Sequence, residues 1–443
     1  MTSPAHPDAP DLDLDLLIAD ATVHRLGRRA DVAVRGGRIV EIGAVDARRA
    51  AVVVEAAGRL LAPSFVDSHT HLDKVLLWDD ERYRADVRAF EEAWYASASR
   101  DDYGPSTAWP AEDAHMARLL ASGATRDEIV AELTARMSTV IEWAIAHGTG
   151  TIKSHTTWGE VSVEAITLLK RRYAGRIDLL AIVPWPAADA PDGPTSLTRE
   201  GFARLAAEGL VDFIGGYYSH GADRAEIDAL FEFAAASGLP VDLHVDEQDD
   251  PDFSEYDYIL DRALAAGVGQ RLSCSHLTAL DSVGVDPDAL ATVVAKARAA
   301  QSNVISLPSC NMYLMGRKQG APRRRGATRL DLFLAAGVNT AIGSDNIRDG
   351  WRPYGNADLL EEALLGAHVL QYAHPDQLVT VFDMITRNPA RNAGLTRHGV
   401  EVGCDADLVL LDAGTPAEAI LTRAARTVVV KGGAVVARDG RLV

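Results

Sequence analysis

Five residues that can bind a metal or move a proton close short apolar runs of the chain, and their chemistry suits hydrolysis by an activated water. His69 and His71 flank Thr70 where the run 61–69 (LAPSFVDSH) ends. Residues two apart on a strand project to the same side, so both imidazoles can face one ion. His244 lies in the run 240–247, His276 ends 271–276, and Asp345 ends 338–345. An isolated HxH pair is weak evidence, but four strand ends carrying imidazole or carboxylate are hard to explain as core packing. Neutral imidazole nitrogen and carboxylate oxygen suit one divalent ion per subunit, Zn²⁺ or Fe²⁺. Such an ion generates hydroxide near pH 7. Cys274, two residues before His276, reads as barrel filling.

Spacing leaves the acid–base carboxylate open. Strict alternation puts Asp242, His244 and Asp246 on one face and turns Glu247 away, but alternation lapses where a strand ends. Asp246 and Glu247 therefore both remain candidates.

The elements that must position these groups follow from periodicity. Eight apolar runs, at 61–69, 149–155, 177–185, 211–218, 240–247, 271–276, 303–309 and 338–345, alternate with amphipathic helical stretches. Eight such units predict an α/β fold, a (β/α)8 barrel over 63–395 with its chemistry at the strand C-termini. A doubly wound sheet fits less well, because polar residues end most runs rather than gathering at one switch point. Residues 14–62 and the C-terminal stretch share Val/Ile-rich alternation and Gly-Gly turns. They predict a small β-sandwich built from both termini, 1–62 and 396–443, with the first ~12 residues disordered. Residues 74–125, rich in Trp and Tyr, form an unusually long connection, read either as a lid or as extra helices on the barrel.

Composition narrows the partners. The 443 residues carry a formal charge of -19, which repels phosphate backbones and anionic lipid, so neither nucleic acid nor membrane is an expected partner. Three cysteines suit a reducing cytoplasm better than a disulfide framework. The start MTSPAHPDAPDLDLDLL does not read as a signal peptide, and no apolar run approaches the about 18 residues of a membrane span.

The stretches PSFVDSHTHLDK, HVDEQDD, SCSHLTAL, NMYLMGRKQGAPRRRGATRL and SDNIRDGWRPYGNADLL together resemble the cytosine deaminase branch of the amidohydrolase superfamily. The likeness runs through nearly the whole chain. It implies a mononuclear site with His69, His71, His244 and Asp345 as ligands, Glu247 as proton shuttle and His276 as partner of the attacking water or substrate. Binuclear members carry a lysine on the fourth strand; VDFIGGYY has none. The implied reaction removes an amino group from a nitrogen heterocycle as ammonia. Loss of a substituted amine from an s-triazine, or opening of a cyclic amide or urea, would use the same groups. An inactive ligand-binding barrel is disfavoured because the full set is present. A homo-oligomer is among the expected states.

The chain departs from that branch in its pocket. Where the third strand of the family ends Phe-Pro-Gln, this chain has Val183-Pro184-Trp185, and the expected aspartate pair is Asp345-Asn346. Both changes remove polar recognition suited to cytosine. Trp185, Trp158, Trp351 and His155 are instead expected to form a stacking pocket for a flat heterocycle, with Asn346 at its edge. The basic residues Arg317, Lys318, Arg323, Arg324, Arg325 and Arg329 are expected to form salt bridges within or between subunits, with a substrate carboxylate as the second reading.

Overall fold

The computed structural model describes residues 12–97, 105–191, 193, 195–317 and 324–443. The disorder expected of the first residues falls almost wholly outside this set, as do Tyr103, Lys318 and Arg323.

Five strands precede the barrel: β1 (Leu14–Val23), β2 (Arg29–Arg35), β3 (Arg38–Gly43), β4 (Ala50–Glu55) and β5 (Leu60–Pro63). The barrel strands are β6 (Phe65–Thr70), β7 (Thr149–His155), β8 (Asp178–Pro184), β9 (Phe213–Tyr218), β10 (Val241–Val245), β11 (Leu272–His276), β12 (Asn303–Ser306) and β13 (Asn339–Ile342). They pair in sequential order, every pair parallel. A parallel bridge between Thr70 and Asp345 joins the last strand end to the first. All eight predicted runs are barrel strands. Several are buried at every residue, as parallel strands covered on both faces must be.

The chain then returns to the terminal domain through β14 (Leu408–Leu411), β15 (Arg426–Lys431), β16 (Ala434–Arg438) and β17 (Arg441–Leu442). These nine strands hydrogen-bond as one continuous sheet rather than two, because β5 pairs with β1 from the first half and with β14 from the second. One apolar cluster draws on both halves, with Leu16, Val32 and Leu61 beside Leu408 and Val430.

The long connection folds into two helices, α1 (Glu81–Ala96) and α2 (Pro105–Ala121), ahead of α3 (Arg126–Ala146). Thr125 and Glu128 form a reciprocal capping box at the start of α3. The helices that follow the next barrel strands are α4 (Gly159–Arg172), α5 (Arg199–Ala207), α6 (Arg224–Ser237), α7 (Ser254–Ala266) and α8 (Pro287–Ala300). No helix among the described residues is long and apolar enough to cross a membrane.

Candidate active site

At the C-terminal mouth of the barrel, Nε2 of His244 lies 3.1 Å from Nε2 of both His69 and His71. Asp345 Oδ1 lies 3.6 Å from the first of those two nitrogens and 3.4 Å from the second. Tetrahedral ligands about 2.1 Å from one ion stand about 3.4 Å from each other, which matches this spacing. Both Asp345 oxygens are buried without a hydrogen-bond donor. Three imidazole nitrogens and a carboxylate converging at this spacing fit a divalent cation.

Burial, with the neighbouring histidines adding to it, holds His69 and His244 well below the ordinary imidazole pKa. Burial and the Lys74 charge push His71 to about 3. All three are thus neutral, as ligands must be. Burial opposes ionisation of Asp345, but the adjacent His71 imidazole and the charge of His276 outweigh it and lower its pKa.

Supporting contacts aim the ligands. His244 Nδ1 stands 3.3 Å from the Gly216 carbonyl, which directs Nε2 to the site. His155 Nε2 lies 3.2 Å from His69 Nδ1 and 3.7 Å from Asp242 Oδ1. Asp242 in turn pairs with Lys153, which also reaches Asn392; Lys153 and Asp242 are fully buried. His155 therefore both faces the cavity and backs His69.

Backbone geometry resolves the carboxylate left open by spacing. Asp246, His276 and Asp345 all adopt positive φ, at 46°, 68° and 57°. At Asp246 this turn ends the strand alternation. Asp246 Oδ2 accepts from the Tyr256 backbone N–H at 2.9 Å, away from the cavity, whereas Glu247 lines it. Glu247 Oε1 lies 2.9 Å from His276 Nδ1, and Asn311 Nδ2 donates to the same oxygen at 3.3 Å. Burial disfavours a charged His276, but the Glu247 carboxylate outweighs it and raises its pKa.

A cavity of about 190 Å³ opens over these groups, lined by His71, His155, His244, Glu247, His276 and Asp345 from the metal region. Asn346 and Trp351 line it too. Asn346 Nδ2 donates to Asp349 at 2.7 Å, and Trp351 Nε1 to Glu112 at 2.6 Å.

Trp185 does not line this cavity, contrary to the expectation from sequence. Pro184 does, and the next residue on the strand faces the opposite way. The Trp185 ring packs at 5.2 Å from Phe202 on α5 and 5.0 Å from Phe233 on α6. Trp158 is likewise absent from the lining; its ring lies 6.5 Å from His115. Alternation, applied at Pro184, was the signal for the first correction.

Other lining residues had no clear sequence signal: Lys74, Trp109 on α2, and Tyr217 at the end of β9. Asn311 falls in the NMYLMGR stretch, but its place beside Glu247 depends on contact across the fold. The basic loop is engaged in pairs: Arg317 with Glu91, Arg324 with Asp281, and Arg329 with Asp331.

A parallel eight-stranded barrel with a His/Asp cluster at its C-terminal mouth is the architecture of a metal-dependent hydrolase. The profile described as "Amidohydrolase family" matches residues 186–443. Pterin deaminase of Rhizobium rhizogenes is 31% identical over 426 residues, covering 93% of this chain and 88% of that protein. N-isopropylammelide isopropyl amidohydrolase of Pseudomonas sp. is 26% identical, covering 96% and 98%. Among solved structures, 5-methylcytosine deaminase from Klebsiella pneumoniae, liganded with 5-fluorocytosine, has a TM-score of 0.78 at 25% identity, covering 95% of this chain and 97% of that one. The chain belongs to the amidohydrolase family.

Proposed function

We propose that this chain hydrolyses an exocyclic amino group from a nitrogen heterocycle, releasing ammonia and leaving the oxo compound. One observation carries this reading: Glu247 is paired with His276 inside the cavity lined by His71, His244 and Asp345, with His69 against His244. Those four residues would hold a divalent cation, Zn²⁺ or Fe²⁺, which would supply a nucleophile at neutral pH by acidifying water. Asp345 would accept the attacking water's proton on a carboxylate oxygen. Glu247 would pass that proton on to a ring nitrogen as the carbon is attacked, then carry the proton of the new hydroxyl to the departing amine as the C–N bond breaks. His276 keeps Nδ1 on Glu247; its buried Nε2 has no protein partner and donates to the developing tetrahedral centre.

The relatives named for pterin, isopropylammelide and 5-methylcytosine bracket the substrates to try. Metal-replete protein is assayed on pterin, cytosine, 5-methylcytosine and N-isopropylammelide, with ammonia and alkylamine quantified separately and metal content measured. Ammonia release, abolished by a chelator and restored by Zn²⁺ or Fe²⁺, is the expected result. Alkylamine as the sole product, ring opening with neither amine, or full activity in metal-free protein would overturn the proposal.

A further inference from the structure

The cavity wall is not made by the barrel alone. Helix α2, within the 74–125 connection, lays Trp109 along it. The Trp109 ring meets two barrel-borne aromatics edge-on: Tyr217 at 5.4 Å and 86°, and Trp351 at 5.2 Å and 78°. Tyr217 stands 6.1 Å from the His244 ring, and Trp109 lies one further ring contact beyond Tyr217. Aromatic partners pack with centroids about 4.5–7 Å apart. Trp109 is thus the part of the cavity wall supplied from outside the barrel, set against the ring that neighbours His244.

The position of Trp109 is built in. Glu112, on the same helix, is 1% exposed, and its Oε1 accepts from Trp351 Nε1 at 2.6 Å. That oxygen also lies 3.5 Å from Lys74 Nζ, which stands 4.6 Å over the Trp351 ring. Further along the helix, His115 Nε2 lies 3.7 Å from Glu132 on α3. The helix is thus tied to the same tryptophan that Trp109 touches.

We infer that Trp109 is a specificity-determining residue that favours a fused bicyclic amino-heterocycle over a single ring, by covering the ring distal to the reacting carbon. The inference rests on the heterocycle deaminase reading and adds the shape of its substrate. It assigns α2 to substrate selection rather than to structural packing alone.

Isothermal titration calorimetry on metal-replete protein tests it without turnover, using the deaminated products as probes: the 2-oxo product of pterin for the bicycle and uracil for the single ring. Trp109→Ala should raise Kd for the bicycle at least 10-fold and leave Kd for uracil within about 2-fold. Trp109→Phe should recover most of the loss, and metal content should match wild type in both variants. Trp109 is 42% exposed, so truncating it leaves no buried void to unfold the chain. Failure of wild type to bind the bicycle, or equal effects on both probes, would overturn the inference. Bicycle binding that responds to Trp109 without ammonia release from any amino-heterocycle would sink the deaminase reading while this assignment of the wall stands. Ammonia release from single rings alone, indifferent to Trp109→Ala, would do the reverse.

Discussion

His276 Nδ1 lies 2.9 Å from Glu247 Oε1, and the two side chains are 1% and 2% exposed. In the proposed mechanism this carboxylate holds His276 in place while it carries protons to the substrate. Glu247→Gln keeps the size and an acceptor oxygen but removes the titrating group. We expect wild-type metal content and a kcat lower by about 10²- to 10⁴-fold, the usual range for a lost general acid–base. Elemental analysis and an ammonia assay read both quantities. A variant as fast as wild type would remove Glu247 from the chemistry.

Gly343 packs directly behind His69, one of the four proposed metal ligands. A Cβ there would stand 2.8 Å from the His69 carbonyl oxygen and 2.9 Å from its backbone nitrogen. The Asp345 N–H also donates to that carbonyl at 2.8 Å, so both strand ends would have to move. Gly343→Ala is expected to lower metal occupancy even though it changes no ligand. Occupancy equal to wild type after dialysis against a competing chelator would refute this.

Lys153 and Asp242 form a fully buried ion pair under His155. Removing one partner strands the other charge in the interior, which costs about 3–5 kcal/mol. Asp242→Ala should therefore unfold at markedly lower urea, and Lys153→Met combined with Asp242→Leu should recover part of the loss. Urea melts of the two variants against wild type check the order.

Glu112 is pushed to about 8, chiefly by burial, with the Lys74 charge opposing and Asp349 adding to the rise. A carboxyl whose pKa is raised on folding contributes stability that is complete below its unfolded value near 4.5 and lost as pH climbs through 8. Glu112→Gln cannot ionise. Its melting temperature relative to wild type should rise between pH 5 and pH 9, as read by scanning fluorimetry at several pH values. A difference that is flat with pH would show that Glu112 titrates normally.

The eight barrel strands were legible because each is a short apolar run ending in polar residues, and burial on both faces imposes that pattern locally. The same reading put His69, His71, His244, His276 and Asp345 at strand ends, and these are the groups that meet at the mouth. Trp185 was misplaced because its size suggested stacking, whereas strand direction turns it to Phe202 and Phe233. That both termini build one small β domain was legible from their shared alternation; which strands join the halves was not, because alternation reports a strand's two faces and not its edge partners, and β5 supplies the join.

For the cluster at the barrel mouth, the sequence by itself determined which residue types stand at which strand ends, since a period of two residues and the burial of a run are properties of adjacent positions. Its resemblance to a family supplied the roles. Only the tertiary structure brought the four ligand atoms to within 3.1–3.6 Å of their neighbours. It also turned Glu247 inward by a positive φ at Asp246, and set Trp109 from a distant helix against Tyr217 and Trp351. Those outcomes depend on contacts between residues far apart in the chain and on backbone turns at strand ends, where local periodicity carries no information.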